Sequence, residues 1–143
     1  MLEMEENLFH MLSKNKIIVT GGSGRFGSVL KKSVNKNYYF PKKNELNISN
    51  LKSIIKYFKK VKPKAVIHLA GLSRPMSLHE KKISKSIELN IIGTCNIVIA
   101  CSKFNIKLIY FSTSYVYPGK KGNYRETDPL LPINNYAWSK LGG

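Results

Sequence analysis

Tyr136 and Lys140 stand four apart in the run Tyr136-Ala137-Trp138-Ser139-Lys140. On a helix that spacing puts both side chains on one face, where a phenol and an ammonium can meet a single ligand. A phenol titrates near ~10, and bringing one to neutral pH takes about 4 kcal/mol of differential stabilisation. A cationic neighbour such as Lys140 supplies part of that, so the pair suits proton transfer. The run Ser112-Thr113-Ser114-Tyr115-Val116-Tyr117 closes an apolar stretch and adds a third residue, Thr113, whose hydroxyl can hold a carbonyl oxygen in line. A tyrosine and a lysine at this spacing are common by chance, and alone they read as an aromatic packing a helix start beside a solvated lysine. Their surroundings change the reading.

Near the other end lies Thr20-Gly21-Gly22-Ser23-Gly24-Arg25-Phe26-Gly27. Lys16 to Thr20 is a short β-branched run suited to a buried parallel strand, and a helix is expected from about Arg25 to Asn35. In a strand–turn–helix of this kind Gly21 allows the tight turn, Gly24 lets backbone approach a pyrophosphate, and Gly27 lets helix and strand pack closely. Free N–H groups at the helix start complement phosphate charge, and Arg25 adds a cation. A P-loop would need Lys-Ser or Lys-Thr after the last glycine, and neither follows Gly27. The turn is therefore read as a dinucleotide cradle. With Thr113, Tyr136 and Lys140 it specifies an oxidoreductase-type site, in which neutral Tyr136 gives its proton to a carbonyl oxygen as hydride arrives.

The intervening chain supplies the scaffold. Tyr38 to Phe40 reads as a strand stopped by Pro41. Ser49 or Asn50 caps a helix through Lys60, with Leu51, Ile54, Ile55 and Phe58 at helical spacing. Ala65 to Ala70 is an apolar strand, and Gly71 to Pro75 a loop. One long helix is expected from about Lys82 to Phe104, with Ile83, Ile87, Ile91, Val98 and Ile99 on its apolar face. Lys107 to Ser112 is a further buried strand, Gly119 to Asn135 an ordered surface loop, and Tyr136 begins a last helix. The β-α-β-α-β-α-β alternation predicts an α/β fold with a Rossmann-like, doubly wound parallel sheet.

At 143 residues the chain forms one domain with a single core. Its two cysteines, Cys95 and Cys101, lie in an apolar helical stretch without metal-site spacing and read as buried thiols. No metal constellation is expected. The net charge of +16 comes mainly from lysines scattered along the chain. A nucleic-acid-binding reading rests on that charge alone, so nucleic acid is not an expected partner. Residues 1–14 read as an N-terminal extension to a domain over 15–143. Glu3, Glu5 and Glu6 give the first residues the wrong charge for a signal peptide. No apolar run is expected to span a membrane, and the chain reads as cytoplasmic.

Order and spacing of these motifs resemble the extended short-chain dehydrogenase/reductases, the NAD-dependent epimerase/dehydratase group, and within it the dTDP-4-dehydrorhamnose reductase-like proteins. The resemblance is carried by the glycine turn, Leu46-Asn47-Ile48-Ser49, Lys62 to Gly71, Asn90-Ile91-Ile92-Gly93-Thr94, Ser112 to Tyr117, and Tyr136 to Lys140. It implies a catalytic triad of Thr113, Tyr136 and Lys140, with Lys140 also on the nicotinamide ribose. It implies cofactor contacts from Gly21, Gly24, Arg25, Phe26, Gly27, Asn47, Ile48, Leu69, Ala70 and Gly71, and a brace from Asn90. His68 is then a satisfied core histidine at a strand end.

Three features depart from the family. Asn47 stands where an acid often lies beside the adenine. Lys42 and Lys43 follow the second strand with no carboxylate for a ribose hydroxyl, so NADP(H) is expected to bind at least as tightly as NAD(H). The sequence stops at Gly143, before the family's C-terminal substrate-binding region. The expected function is reduction at the 4-keto position, or epimerisation, of a nucleotide sugar by an NAD(P)-dependent enzyme, in a protein that could form a homodimer. The alternative is a non-catalytic NAD(P)-binding module or fragment. Residues 1–143 by themselves are expected to bind cofactor without turning over sugar.

Overall fold

The computed structural model describes residues 15–143, and the expected N-terminal extension lies outside them. Four strands, β1 (Ile17–Thr20), β2 (Tyr38–Tyr39), β3 (Ala65–His68) and β4 (Lys107–Tyr110), form one parallel sheet in the order β2-β1-β3-β4. Ile18 lies level with Tyr39 and Val66, and Val66 with Leu108, so the strand tips line up at one edge.

Because side chains alternate along a strand, the apolar runs serve two cores. Ile18 and Val66 face one layer with Ile54, Phe58, Ile97 and Ala100. Ile17, Val19, Ala65 and Ile67 face the other, against Leu30, Phe40 and Ile109. Helix α1 (Arg25–Ser33) contributes Leu30 to the second layer, while α2 (Leu51–Val61) and the segment after β3 cover the first. The Asn50 side chain accepts from Ser53 N at 3.1 Å and caps α2. Lys62, left-handed at φ 54°, ends it before Pro63.

The long helix has the expected extent but not the expected buried face. A separate short helix, α3 (Ser77–Lys81), precedes it, and the long helix runs through α4 (Ile83–Ser86), a π-helical turn over Ile87–Ile92, and α5 (Gly93–Phe104). The wider π turn rotates the register, and the inward face carries Ser86, Asn90, Thr94, Ile97, Ala100 and Cys101. Ile83, Ile87, Val98 and Ile99, expected to be buried, stand exposed, and Ile91 is half buried. Cys95 shares that outward stripe and is exposed, unlike Cys101. The inward face is partly polar because it meets the polar strand tips. Ile83–Phe104, 22 residues at mean hydropathy 1.3, is long and apolar enough to cross a bilayer by length and composition alone, a test that a core helix also passes. Here it packs on α2, β3 and β4.

β4 is an edge strand, so Lys107 is exposed and Leu108 to Tyr110 are half buried, where a fully buried strand was expected. A 3-10 turn (Ser114–Val116) follows, and α6 (Asn135–Gly142) packs against the π turn and the 3-10 turn.

The register of the long helix can be tested directly. Ile97 is fully buried and Val98 is 44% exposed. Ile97→Ala is expected to cost about 2–5 kcal/mol, and Val98→Ala to stay within ~0.5 kcal/mol, measured by urea unfolding. Equal losses would contradict the assigned face.

Candidate active site

The glycine turn has no room for side chains at two points. Gly21 adopts φ +73°, and a Cβ on it would lie 2.6 Å from Ala70 N. A Cβ on Gly27 would meet Gly21 O and come within 2.7 Å of Gly22 Cα. Gly24 N donates to Gly21 O at 3.0 Å, and Gly24 starts α1 with no side-chain cap on the helix's first N–H groups. A close-packed turn leading to an uncapped helix start fits a pyrophosphate. Phe26 leans on Phe111, past the end of β4, with ring centres 5.2 Å apart.

A buried chain of hydrogen bonds crosses the strand tips. Thr20 Oγ1 accepts from Ala70 N at 3.1 Å and lies 2.7 Å from His68 Nδ1. His68 Nε2 is 3.2 Å from Thr94 Oγ1, which donates to Asn90 O at 2.7 Å. One proton arrangement satisfies every atom: Thr20 O–H donates to Nδ1, and Nε2–H donates to Thr94. It requires neutral imidazole. Burial, with the nearby Lys140 charge, pushes the His68 pKa down to about 4, which agrees. His68 is thus the satisfied core histidine expected from its place in the sequence.

Asn90 joins this chain to the last helix. Its Oδ1 accepts from Leu72 N at 2.6 Å, and its Nδ2 donates to Leu72 O at 2.8 Å and to Ser139 Oγ at 2.8 Å. Ser139 Oγ in turn donates to Tyr136 O at 2.8 Å. The side chain of Asn134 accepts from Ala137 N at 2.8 Å and caps α6. Lys140 Nζ sits 4.0 Å from the centre of the Tyr110 ring, and Tyr110 OH donates to Lys140 O at 2.9 Å. Burial pushes the Lys140 pKa down to about 8 and that of Tyr110 up to about 12. The Tyr136 ring lies between His79, at 4.9 Å, and Tyr115, edge-on at 6.0 Å.

These elements enclose an open cleft of about 220 Å³. Of the residues singled out in the sequence, Phe26, Leu69, Gly71, Asn90, Tyr136 and Lys140 line it. Gly21, Gly24, Arg25 and Gly27 form the adjoining turn. Ala70 is tied to Thr20 through its N–H. Thr113 is not among the lining residues, though its neighbour Ser112 is; its Oγ1 accepts from Tyr115 N at 3.3 Å and caps the 3-10 turn. Asn47 and Ile48 also lie outside the cleft. Asn47 Oδ1 accepts from Ser49 N at 3.1 Å within its own turn, and Ile48 is buried in the core. Sequence reasoning missed Ser139, Phe111 and His79. Ser139 had a usable signal, its position between Tyr136 and Lys140; His79 had none.

Half-buried Lys140 has a testable pH signature. Its pKa falls from 10.5 to about 8, so below about 8 the folded state bears the whole cost of holding the charge out of water. From there towards 10.5 the unfolded chain retains a proton that the folded chain has lost, and stability rises with pH. Lys140→Met is therefore expected to raise the melting temperature at pH 7, with the gain shrinking at pH 9.5. A gain independent of pH would show that the ammonium is not desolvated.

Comparison with known proteins places this geometry in a family. The family described as RmlD substrate binding domain matches residues 15–143. The chain is 28% identical over 133 residues to dTDP-4-dehydrorhamnose reductase of Aggregatibacter actinomycetemcomitans, covering 90% of this chain and 45% of that protein. It is 26% identical over 142 residues to methionine adenosyltransferase 2 subunit beta of Pongo abelii, covering 92% of this chain and 42% of that one. Among solved structures it resembles dTDP-4-dehydrorhamnose reductase of Bacillus anthracis in complex with NADP, with a TM-score of 0.84, 30% identity, and coverage of 90% of this chain and 47% of that chain. The chain thus spans less than half the length of these relatives. With its parallel sheet, glycine turn and Tyr136–Lys140 helix, it belongs to the RmlD substrate binding domain family.

Proposed function

We propose that this chain is the cofactor-binding part of an NAD(P)H-dependent reductase acting on the keto group of a nucleotide-linked sugar. The observation that carries the reading is the common cleft: Tyr136 and Lys140 leave adjacent turns of α6 and line the same space as Phe26 at the glycine turn and Leu69 and Gly71 beyond β3. The similarity to a reductase solved with NADP supports it.

The glycine turn and the open start of α1 would hold the pyrophosphate, with Arg25 beside it. Leu69, Ala70 and Gly71 would pass along the dinucleotide, and Lys140 would hold the nicotinamide ribose. A bound nicotinamide supplies the hydride. Tyr136 gives the proton of its Oη to the substrate's carbonyl oxygen, and Thr113 donates its hydroxyl hydrogen to the same oxygen. The bond Thr113 makes in the structure leaves that hydrogen available, because Oγ1 acts there as acceptor. Lys140, beside the face of Tyr110, would place a cation next to the reacting groups.

The exposed Lys42 and Lys43 follow β2, and the acid nearest in sequence is engaged: Lys42 N donates to Glu45 Oε2 at 2.8 Å. Lys42 and Lys43, both exposed, would suit an adenosine 2′-phosphate, with Lys43 also within reach of the Glu88 charge. A second reading is a nucleotide-binding module without turnover of its own, and the likeness to a protein named as a subunit, the beta subunit of methionine adenosyltransferase 2, supports a subunit role.

Turnover separates the two. In the whole protein Tyr136→Phe keeps the ring and removes the proton, so reduction of a nucleotide-linked ketone is expected to fall ~10²-fold or more. Calorimetry on the same variant is expected to show little change in NADPH affinity, and NADPH bound at least as tightly as NADH. Near wild-type turnover would remove Tyr136 from the mechanism. Absence of turnover in the wild type, with cofactor bound, would favour the subunit reading.

A further inference from the structure

Among the described residues, a buried histidine beside the site is left unused by the reading above. His79 lies on α3, in none of the sequence motifs, and is fully buried. Its ring centre is 4.9 Å from that of Tyr136, at 57° between planes. Its Nδ1 lies 2.7 Å from Ser86 Oγ, itself buried at the end of α4, so the imidazole cannot rotate freely. Nε2 is out of contact with water and makes no hydrogen bond of ordinary geometry, although the Ser73 backbone acts on the ring and favours its charged form. His79 O accepts from Asn135 Nδ2 at 3.4 Å, and that amide also donates to Glu80 Oε2 at 2.7 Å. Asn135 is the first residue of α6, directly before Tyr136.

One short helix therefore grips Tyr136 twice, through the ring of His79 and through the backbone that precedes the tyrosine. We infer that His79 is the positioning residue for the Tyr136 phenol, an imidazole wall, tethered to Ser86, that fixes the orientation of the ring. Its functional meaning rests on the reading of Tyr136 as proton donor. Buried ring nitrogens without a hydrogen bond of ordinary geometry are rare in folded proteins, so the imidazole here calls for an explanation. Burial also lowers the His79 pKa, keeping the wall uncharged near neutral pH. The titratable groups acting on it are Glu80, on its own helix, and Tyr136, on α6. Protonation would put a charge into a space closed to water, a cost that the Ser73 backbone and Glu80 offset only in part, and the wall should then shift.

The test uses residues 1–143 labelled with ¹³C at tyrosine Cζ and histidine Cε1, followed by NMR from pH 8 to pH 5. The Tyr136 line is assigned by its loss in Tyr136→Phe. The expected result is a His79 midpoint below 6.5, with the same midpoint appearing in the Tyr136 line. His79→Phe, which keeps a ring, should hold the Tyr136 line in place but make it flat with pH; His79→Gln, which keeps a polar tether, should displace it. A Tyr136 line indifferent to His79 titration and unmoved in both variants overturns the inference. In the whole protein, His79→Gln should lower kcat by about tenfold or more with KM nearly unchanged, and should cost nothing further in a Tyr136→Phe background. An equal loss in that background would also overturn it. A wild-type protein that shows the NMR coupling but no turnover contradicts the reductase reading and leaves the positioning inference standing.

Discussion

The site depends on the hydrogen bonds of a single carboxamide. Asn90 meets both backbone groups of Leu72 and passes a third bond to Ser139, which reaches back to Tyr136 O. Loop and last helix are far apart in sequence and share no strand, so nothing in the sheet fixes one against the other. A buried amide with its bonds satisfied does so, because any sliding of α6 would leave polar atoms unpaired, at about 1–3 kcal/mol each. The π turn at Ile87–Ile92 belongs to the same device, since it brings Asn90 round to the inward face. Ser86 and Thr94 share that inward face, and the apolar stripe of Ile83, Ile87, Val98 and Ile99 faces outward.

Around this joint the interior is arranged to remain neutral while tolerating one cation. Thr20, His68 and Thr94 satisfy one another without charge, and the Lys140 ammonium rests against the face of Tyr110. Partial burial of a lysine costs stability, and the pKa lowered to about 8 expresses that cost. A group held in this condition responds strongly to an anion or a polar ligand arriving beside it. Structural lysines on an exposed face, such as those scattered along this chain, do not.

Most of the fold was legible in the sequence, because the glycine turn, the apolar runs and the helical spacings follow from local chemistry. Ile54 and Phe58 fell on the face their period required, and His68 was satisfied as its strand-end position implied. The buried face of the long helix was misread because it is partly polar, with Ser86, Asn90 and Thr94 turned inward: Val98 and Ile99 look like core from composition alone, and Cys95 went with them. β4 was read as fully buried from an apolar composition that it shares with β3, although it forms the edge. In the site, Tyr136 and Lys140 could be paired by spacing, but the partners that hold them come from contacts 49 and 30 residues away in sequence, Asn90 to Ser139 and Tyr110 to Lys140. His79 is the extreme case, recognisable only once α3 and α6 are in place.

Asn90 holds the Leu72 loop and α6 in one arrangement, on which the proposed site depends. The most direct test is the NADPH affinity of residues 1–143 with Asn90→Ala, measured by calorimetry, with circular dichroism showing that the sheet is intact. The account predicts binding about tenfold weaker or more, as expected when a loop and a helix lose a shared hydrogen-bonding partner. An intact fold that binds NADPH as tightly as the wild type would contradict it.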